Sequence, residues 1–210
     1  MTFPLDRPAR LAVFASGRGS NLDALLRAFP PDSELASVAL VVSNVASALA
    51  LEKARSAGVA TLAHPFPARA HDPAGAGRAQ FEAAASEVLA AHRTDLIALA
   101  GFMRILSPAF NARWRGRLLN IHPSLLPAFP GLHPQRQALR AGAEVSGCTV
   151  HFVDAGVDTG PTILQRQVRV LSGDTEASLG ARILQEEHSA YPEALRLVLT
   201  GRAQLAQVTP

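Results

Sequence analysis

Residues 10–21 read RLAVFASGRGSN, an apolar run followed at once by a glycine-containing turn and the start of an amphipathic segment. The apolar run predicts a buried strand at 10–16, and the spacing of the leucines after the turn predicts a helix at 21–29. A strand that passes through a glycine turn directly into a helix is the opening unit of an α/β fold. The sequence that follows repeats this alternation.

Short apolar runs continue to alternate with longer alanine-rich segments. Further strands are predicted at 37–43, 59–63, 95–100 and 118–121, and helices at 46–57 and 78–92. This order is typical of parallel strands joined by crossover helices, which form a doubly wound sheet with ligands at the carboxyl ends of its strands.

The C-terminal part departs from the parallel pattern. Strands predicted at 148–154 and 161–170 flank a glycine turn and could form an antiparallel pair. A long helix is predicted at 174–199, with Asp174 or Thr175 as its N-cap. The expected fold is therefore α/β: a single domain with a doubly wound, mostly parallel sheet, an antiparallel C-terminal strand pair and a long C-terminal helix.

Composition limits the classes of protein that fit. With 48% hydrophobic and 18% charged residues, the 210-residue chain suits one folded domain. It shows neither an apolar run of roughly 18 residues nor a secretion signal at Met1, so a membrane protein is not expected. The 20 basic and 17 acidic residues are scattered and aromatic residues make up 5%, which does not favour nucleic-acid binding. The single cysteine, Cys148, is expected to be an inert core thiol of a cytoplasmic protein.

Two groups of polar residues are expected to be surface features. His64, His71 and His92 lack the spacing of metal ligands, so no metal site is predicted. Trp114 and the neighbouring arginines Arg113, Arg115 and Arg117 are expected to form the solvated face of a helix end.

The turn at 16–21 is the first candidate for a ligand site. At a strand-to-helix junction, free backbone N–H groups and the positive end of the helix dipole meet, and Gly17 and Gly19 allow close approach of a ligand. The hydroxyl of Ser20 and the amide of Asn21 suit a single phosphate group. The alternative is a tight turn in which Ser20 is only the helix N-cap.

The second candidate is the pair Asn120 and His122, at the end of a strand and the start of the proline-rich segment 122–134. Residues i and i+2 of a strand share a face, so the amide and the imidazole can converge on one reacting atom. An amide donor next to a proton-exchanging imidazole suits acyl transfer. The alternative is a loop histidine bonded to the backbone.

Asp158 is the third candidate, because glycines and a proline constrain its turn at 156–161. Its carboxylate could orient an imidazole and favour the charged form of that ring. The alternative is an aspartate that caps its own turn.

Five segments together resemble one known family. They are SGRGSNL at 16–22, AGFMRILSPAF at 100–110, LLNIHPSLLP at 118–127, PGLHPQRQAL at 130–139 and VDTGP at 157–161. Their order and spacing closely resemble the phosphoribosylglycinamide formyltransferases, folate-dependent enzymes of purine biosynthesis, from about Leu11 to Leu199. The resemblance implies a Rossmann-like formyltransferase fold and a single formyltransferase domain over 1–210. Phosphate binding would lie in about 10–115, with catalysis and folate binding in about 116–200.

The resemblance also implies the reaction. The formyl group of 10-formyltetrahydrofolate would pass to the amino group of glycinamide ribonucleotide, with Asn120 and protonated His122 stabilising the oxyanion and Asp158 keeping the imidazole charged. Neither metal, nucleic acid nor membrane is expected, and the protein would be a monomer or a homodimer.

The remaining site residues are likewise implied by the resemblance. His133 would lie beside the site, and Ala128 replaces a lysine that many members carry. The ribonucleotide contacts would be Gly19, Ser20, Asn21 and Glu187. The folate contacts would be Arg78, Met103, Arg104, Ile105, Leu106 and Asn120.

Two kinds of alternative function remain open. A formyltetrahydrofolate deformylase or a tRNA formyltransferase would share the Asn, His and Asp. The deformylase would be expected to carry a further domain before residue 10, and the tRNA enzyme a further domain after residue 200. A non-catalytic nucleotide-binding module would use the turn at 16–21 and leave those three residues without a role.

Overall fold

A seven-stranded sheet forms the centre of the computed structural model, which describes residues 2–66 and 75–205. The strands are β1 (Ala9–Phe14), β2 (Ala36–Ser43), β3 (Ala60–Ala63), β4 (Leu96–Leu99), β5 (Leu118–His122), β6 (Val145–Phe152) and β7 (Thr162–Arg169). The helices are α1 (Ser20–Ala28), α2 (Leu49–Ser56), α3 (Ala76–Ala91), α4 (Pro108–Arg113), α5 (Pro134–Arg140) and α6 (Glu176–Leu199). His71 lies outside the described residues.

The strand order is β3-β2-β1-β4-β5-β6-β7. The first five strands in that order are parallel, whereas β6 is antiparallel to both β5 and β7. The chain passes from one side of β1 to the other between β3 and β4, and in doubly wound sheets such a switch point marks the ligand crevice. The predicted fold, with its antiparallel C-terminal pair and long last helix, is confirmed.

Alternation along β1 explains why helices cover both faces of the sheet. Leu11 and Val13 join a core with α1, α2 and α6 on one face, while Ala12 and Phe14 join a core with α3 and α4 on the other. All four side chains are fully buried. A strand buried on both faces reads as one continuous apolar run, which is the pattern seen at 10–16.

The largest differences from the predicted boundaries are three residues, and two short helices were not predicted. Helix α2 begins at Leu49 rather than at residue 46, since a turn closed by the Ala48 N–H on the Val45 carbonyl precedes it. Strand β6 begins at Val145, three residues before the predicted start. Helices α4 and α5 were not predicted, because six and seven residues are too few to show helical periodicity.

Trp114 is a correction to the sequence interpretation. Its ring is buried, with 6% exposed, and the Arg117 guanidinium lies 4.5 Å from the ring centroid. Arg113 and Arg115 remain exposed, as expected of a solvated helix end. The prediction for Trp114 was wrong because α4 is too short to show from its sequence which side faces the core.

The long helix α6 begins as predicted. Thr175 is its N-cap and forms a capping box with Ser178, which decides between the two residues that the sequence offered. None of the helices within 2–66 and 75–205 combines the length and the apolar character needed to cross a membrane.

The β1–α1 turn depends on Gly19. Its φ of 72° lies in the left-handed region, and a Cβ there would lie 2.9 Å from both Cα and Cβ of Ala50 in α2. Gly17 has no atom of the described structure within 4 Å of such a Cβ. Gly19 is therefore required by the backbone and by the packing of α2, in addition to any ligand.

We expect Gly19→Ala to lower the free energy of unfolding by about 2 kcal/mol, because it combines left-handed strain with a steric clash. The matched variant Gly17→Ala should change it by less than about 0.5 kcal/mol. Urea unfolding of both variants followed by circular dichroism measures the difference. Equal stabilities would show that α2 does not hold the turn.

Candidate active site

Asn120, His122 and Asp158 lie together at the carboxyl end of β5. The Asp158 carboxylate places Oδ2 3.3 Å from His122 Nδ1 and Oδ1 3.4 Å from Asn120 Nδ2. Strand β5 presents Asn120 and His122 on one face, and the loop between β6 and β7 brings in Asp158. The distance from Asp158 to the other two residues cannot be inferred from the sequence, because it depends on the packing of the loop after β6 against β5.

Both ring nitrogens of His122 face oxygen atoms. Nε2 lies 2.9 Å from the carbonyl oxygen of Phe129, and Nδ1 faces the carboxylate of Asp158. A carbonyl and a carboxylate accept hydrogen bonds and do not donate them, so both ring nitrogens have acceptors facing them. The arrangement suits an imidazolium paired with a carboxylate, with His122 only 5% exposed.

Asp158 is held by the backbone as well as by side chains. Its φ of 56° places it in the left-handed region, and the N–H of Gly131 in the proline-rich segment donates to its Oδ2 at 2.8 Å. Burial alone would raise the pKa of Asp158, but the imidazole of His151, the Gly131 N–H and the imidazole of His122 outweigh burial and lower that pKa. The alternative of an aspartate that only caps its own turn does not describe these contacts, because Asp154 accepts the hydrogen bonds within that loop.

His151 is a site residue that the sequence analysis missed. It is the direct cross-strand partner of Asn120 between β5 and β6, and only 2% of it is exposed. Its Nδ1 lies 2.8 Å from the Phe152 carbonyl, which only accepts, so Nδ1 carries the hydrogen. Its Nε2 lies 3.2 Å from Asn120 Nδ2 and 3.7 Å from Asp158 Oδ1. The antiparallel pairing of β5 with β6 would have revealed this residue, and no sequence pattern predicted it.

The turn at 16–21, called the cradle below, joins β1 to α1 as the sequence predicted, and phosphate binding there stays a prediction. Gly19 is the N-cap of α1, and Ser20 is the first helical residue. The alternative that Ser20 itself is the N-cap is therefore wrong. Since Gly19 has no side chain to cap the helix, the N–H groups of the first turn of α1 keep the capacity to bind an anion.

Asn21 and Glu187 form a buried pair across 166 residues of sequence. Asn21 Nδ2 donates to Glu187 Oε2 at 2.7 Å, and the two side chains are 7% and 6% exposed. Burial raises the pKa of Glu187 to about 7, against the opposing effect of the Asn21 hydrogen bond. Asn21 Oδ1 has no hydrogen-bond partner among the described residues, so this pair retains a buried acceptor beside the cradle.

The segment after β4 presents apolar side chains beside the site. Met103 and Ile105 are 61% and 65% exposed, whereas Leu106 is buried. The guanidinium of Arg104 donates to the carbonyl oxygens of Phe66 and Met103. Exposed apolar side chains on a backbone fixed in this way are suited to a flat heterocyclic ligand.

Ser16 connects that segment to the cradle. Its Oγ accepts the Met103 N–H at 2.9 Å and donates to Asn44 Oδ1 at 2.6 Å. The ends of β1 and β2 and the segment after β4 therefore meet at one hydroxyl.

Other predicted residues lie apart from this network or on its rim. Arg78 lies in the first turn of α3, where its role as a folate contact stays a prediction. His133 is the exposed N-cap of α5, and Ala128 is exposed in the proline-rich segment. The Cys148 thiol is fully buried, which confirms its place in the core, and burial raises its pKa to about 12. Within the described ranges, no three His, Cys, Asp or Glu side chains are grouped so that they could hold a metal ion.

Glu187 gives a pH-dependent prediction. Its pKa rises from an ordinary 4.5 to about 7 on folding, so its contribution to stability is complete below pH 4.5 and is lost as the pH rises through about 7. The native chain loses this contribution as the pH rises from 4.5 to about 7, and Glu187→Gln does not. We therefore expect the free energy of unfolding of Glu187→Gln, relative to that of the native chain, to increase by up to about 3 kcal/mol over this range. Urea titrations across that range measure this, with Glu186→Gln as the neighbouring control. A difference that does not change with pH would mean that folding leaves the pKa of Glu187 at its ordinary value.

Comparison with known proteins identifies the family. Residues 9–195 match the family model described as formyl transferase. The chain is 45% identical over 195 residues to the phosphoribosylglycinamide formyltransferase of Escherichia coli (strain K12). The match covers 93% of this chain and 89% of that protein. It is 49% identical over 202 residues to the trifunctional purine biosynthetic protein adenosine-3 of Drosophila melanogaster. That match covers 95% of this chain but only 14% of the longer Drosophila protein.

A solved structure gives the same result. The crystal structure of glycinamide ribonucleotide transformylase 1 from Symbiobacterium toebii matches with a TM-score of 0.85 at 46% identity, over 97% of this chain and 93% of that chain. These matches confirm the resemblance noted in the sequence. The chain belongs to the formyl transferase family, and it is similar to phosphoribosylglycinamide formyltransferases over nearly its whole length.

Proposed function

We propose that this chain transfers the formyl group of 10-formyltetrahydrofolate to the amino group of glycinamide ribonucleotide, a step of de novo purine biosynthesis. The observation that carries the proposal is the cluster of Asn120, His122 and Asp158 at the carboxyl end of β5, in a member of the formyl transferase family. The chain would act as one formyltransferase domain, with the phosphate cradle in its N-terminal half and the catalytic cluster in its C-terminal half.

The ribonucleotide would bind at the start of α1. Its phosphate would accept hydrogen bonds from the N–H groups that follow Gly19 and from the hydroxyl of Ser20. The Asn21–Glu187 pair supplies polar atoms deeper in the site, where Asn21 Oδ1 can accept from a sugar hydroxyl. These contacts would orient the glycinamide amine towards Asn120.

The folate would bind along the segment after β4. Met103 and Ile105 offer apolar surface, and the main chain from Met103 to Leu106 offers donors and acceptors to a pterin ring. Arg78 is the proposed partner of the glutamate tail. When bound, the folate supplies an electrophilic formyl carbon on N10.

Asn120 and His122 would stabilise the charge that develops on the formyl oxygen as the amine attacks. One Asn120 N–H is held by His151, and the second has only the long 3.4 Å contact with Asp158, so the second is the donor that an oxyanion would engage. The imidazolium of His122 adds positive charge close to the oxygen.

The proton balance needs one transfer. The new bond joins the amine nitrogen to the formyl carbon, and the bond from that carbon to N10 breaks. A water held by Asp158 would carry the proton from the attacking amine to N10, or His122 would give its own proton to N10 and then take up the proton of the amine. Asp158 favours the charged form of the imidazole and holds the ring in place, which is a role that its lowered pKa supports.

Turnover of 10-formyltetrahydrofolate by the purified protein, followed spectrally with and without glycinamide ribonucleotide, tests the proposal. We expect loss of the formyl donor only when the ribonucleotide is present, together with formylated product. Loss without the ribonucleotide would identify a deformylase. Binding of the folate without any loss would identify a non-catalytic module or a different acceptor.

Replacement of Asp158 by Asn should lower kcat about 100-fold with the KM for the ribonucleotide within a factor of about two, because the amide cannot balance the charged imidazole. The matched variant Asp154→Asn removes a carboxylate from the same loop but keeps an acceptor for Gly156 and Thr159, so its kcat should stay within about threefold of native. Steady-state kinetics at saturating folate separate the two constants. A pure rise in KM for Asp158→Asn would assign Asp158 to binding instead.

A further inference from the structure

Tyr191 carries a buried hydroxyl directly beneath the proposed site. The side chain lies in the middle of α6 and is fully buried. Its hydroxyl lies 2.9 Å from the carbonyl oxygen of Leu99 and 3.2 Å from that of Leu119. Leu99 is the last residue of β4, and Leu119 directly precedes Asn120 in β5.

These two carbonyls belong to neighbouring parallel strands, in which Leu99 is in register with Asn120. Each carbonyl oxygen has two lone pairs, so it can accept the hydroxyl in addition to a hydrogen bond within the sheet. One hydroxyl proton is thus shared between the last residue of β4 and the second residue of β5. The contact joins the two strands one residue before Asn120.

Each strand end leads to a different part of the site. Four residues beyond Leu99 lies Met103, in the segment proposed to hold the folate, and β5 continues from Leu119 into Asn120 and His122. The hydroxyl of Tyr191 therefore ties the donor side of the site to the catalytic side. Acyl transfer depends steeply on such spacing, since a displacement of about 1 Å can cost about 100-fold in rate.

Packing alone does not account for the buried hydroxyl of Tyr191. A phenylalanine would fill the same space with no hydroxyl to desolvate, and a buried hydrogen bond adds only about 1 kcal/mol to stability. The gain in stability from this hydrogen bond is small, and the hydroxyl lies where two parts of the site meet. Glu187, one turn earlier on α6, contacts Asn21, so successive turns of this helix reach the ribonucleotide side and the strand junction.

We propose that Tyr191 is a positioning residue that holds the carboxyl end of β4 and the Leu119–Asn120 part of β5 at the spacing that formyl transfer requires. This rests on the proposed function, because the spacing matters only if a donor on the β4 side meets Asn120 and His122. Tyr191 itself touches neither substrate in this scheme.

The variant Tyr191→Phe tests the proposal, because it keeps the ring and removes only the hydroxyl. We expect kcat to fall about tenfold while the KM for the ribonucleotide stays within a factor of about two. The matched control is Leu195→Ala, one turn further along α6 and also fully buried, which loses packing but no contact with either carbonyl. Its kcat should stay within about twofold of native at a temperature where all the proteins are folded.

A second measurement does not depend on turnover. Backbone ¹H–¹⁵N spectra of Tyr191→Phe should show shifts at Met103 and Asn120 that Leu195→Ala does not show. A native kcat in Tyr191→Phe, an equal fall in both variants, or unchanged Met103 and Asn120 signals would each overturn the proposal. Absence of ribonucleotide-dependent turnover in the native chain would instead overturn the proposed function, and the spectra would still decide whether Tyr191 sets the spacing of the strands.

Discussion

The arrangement of the site depends on the carboxylate of Asp158. Its two oxygens contact the N–H of Gly131, the ring of His122 and the amide of Asn120. The carboxylate thereby joins three stretches of backbone: β5, the proline-rich segment after it, and the loop between β6 and β7. A half-buried carboxylate without partners would cost several kcal/mol, so the three stretches stabilise one another through this group. The same contacts leave His122 facing a carboxylate and a carbonyl, which suits a charged ring.

The change from parallel to antiparallel pairing at β5 makes this contact available. A parallel neighbour would need a long crossover connection, whereas β6 runs back beside β5 and places His151 opposite Asn120. The loop that follows β6 then returns Asp158 to the end of β5. The irregular C-terminal part of the fold thus supplies the polar groups, while the parallel part supplies the rigid strand ends and the helix N-terminus.

The hydroxyls of Ser16 and Tyr191 connect separate parts of the site. Ser16 joins the cradle to the segment after β4, and Tyr191 joins the end of β4 to β5. Donor and acceptor would have to meet at His122, so a site built from separate loops needs such links to keep its distances fixed. Glu187 and Tyr191 both lie on α6, far in sequence from the residues that they contact. Through them this helix contacts the start of α1 as well as β4 and β5.

The sequence by itself determined the architecture and the chemistry-bearing residues at strand ends. Continuous apolar runs, glycine turns and alanine-rich segments give local signals, and β1, α1 and β5 follow them closely. Asn120, His122 and the turn at 16–21 are local as well, because each lies within one short stretch. Only the tertiary structure decided the pairing of His151 with Asn120, the bond of Asn21 to Glu187 and the bridge made by Tyr191. Those contacts join residues between 31 and 166 positions apart, and no periodicity records a distance between segments that meet only after the sheet and α6 have packed.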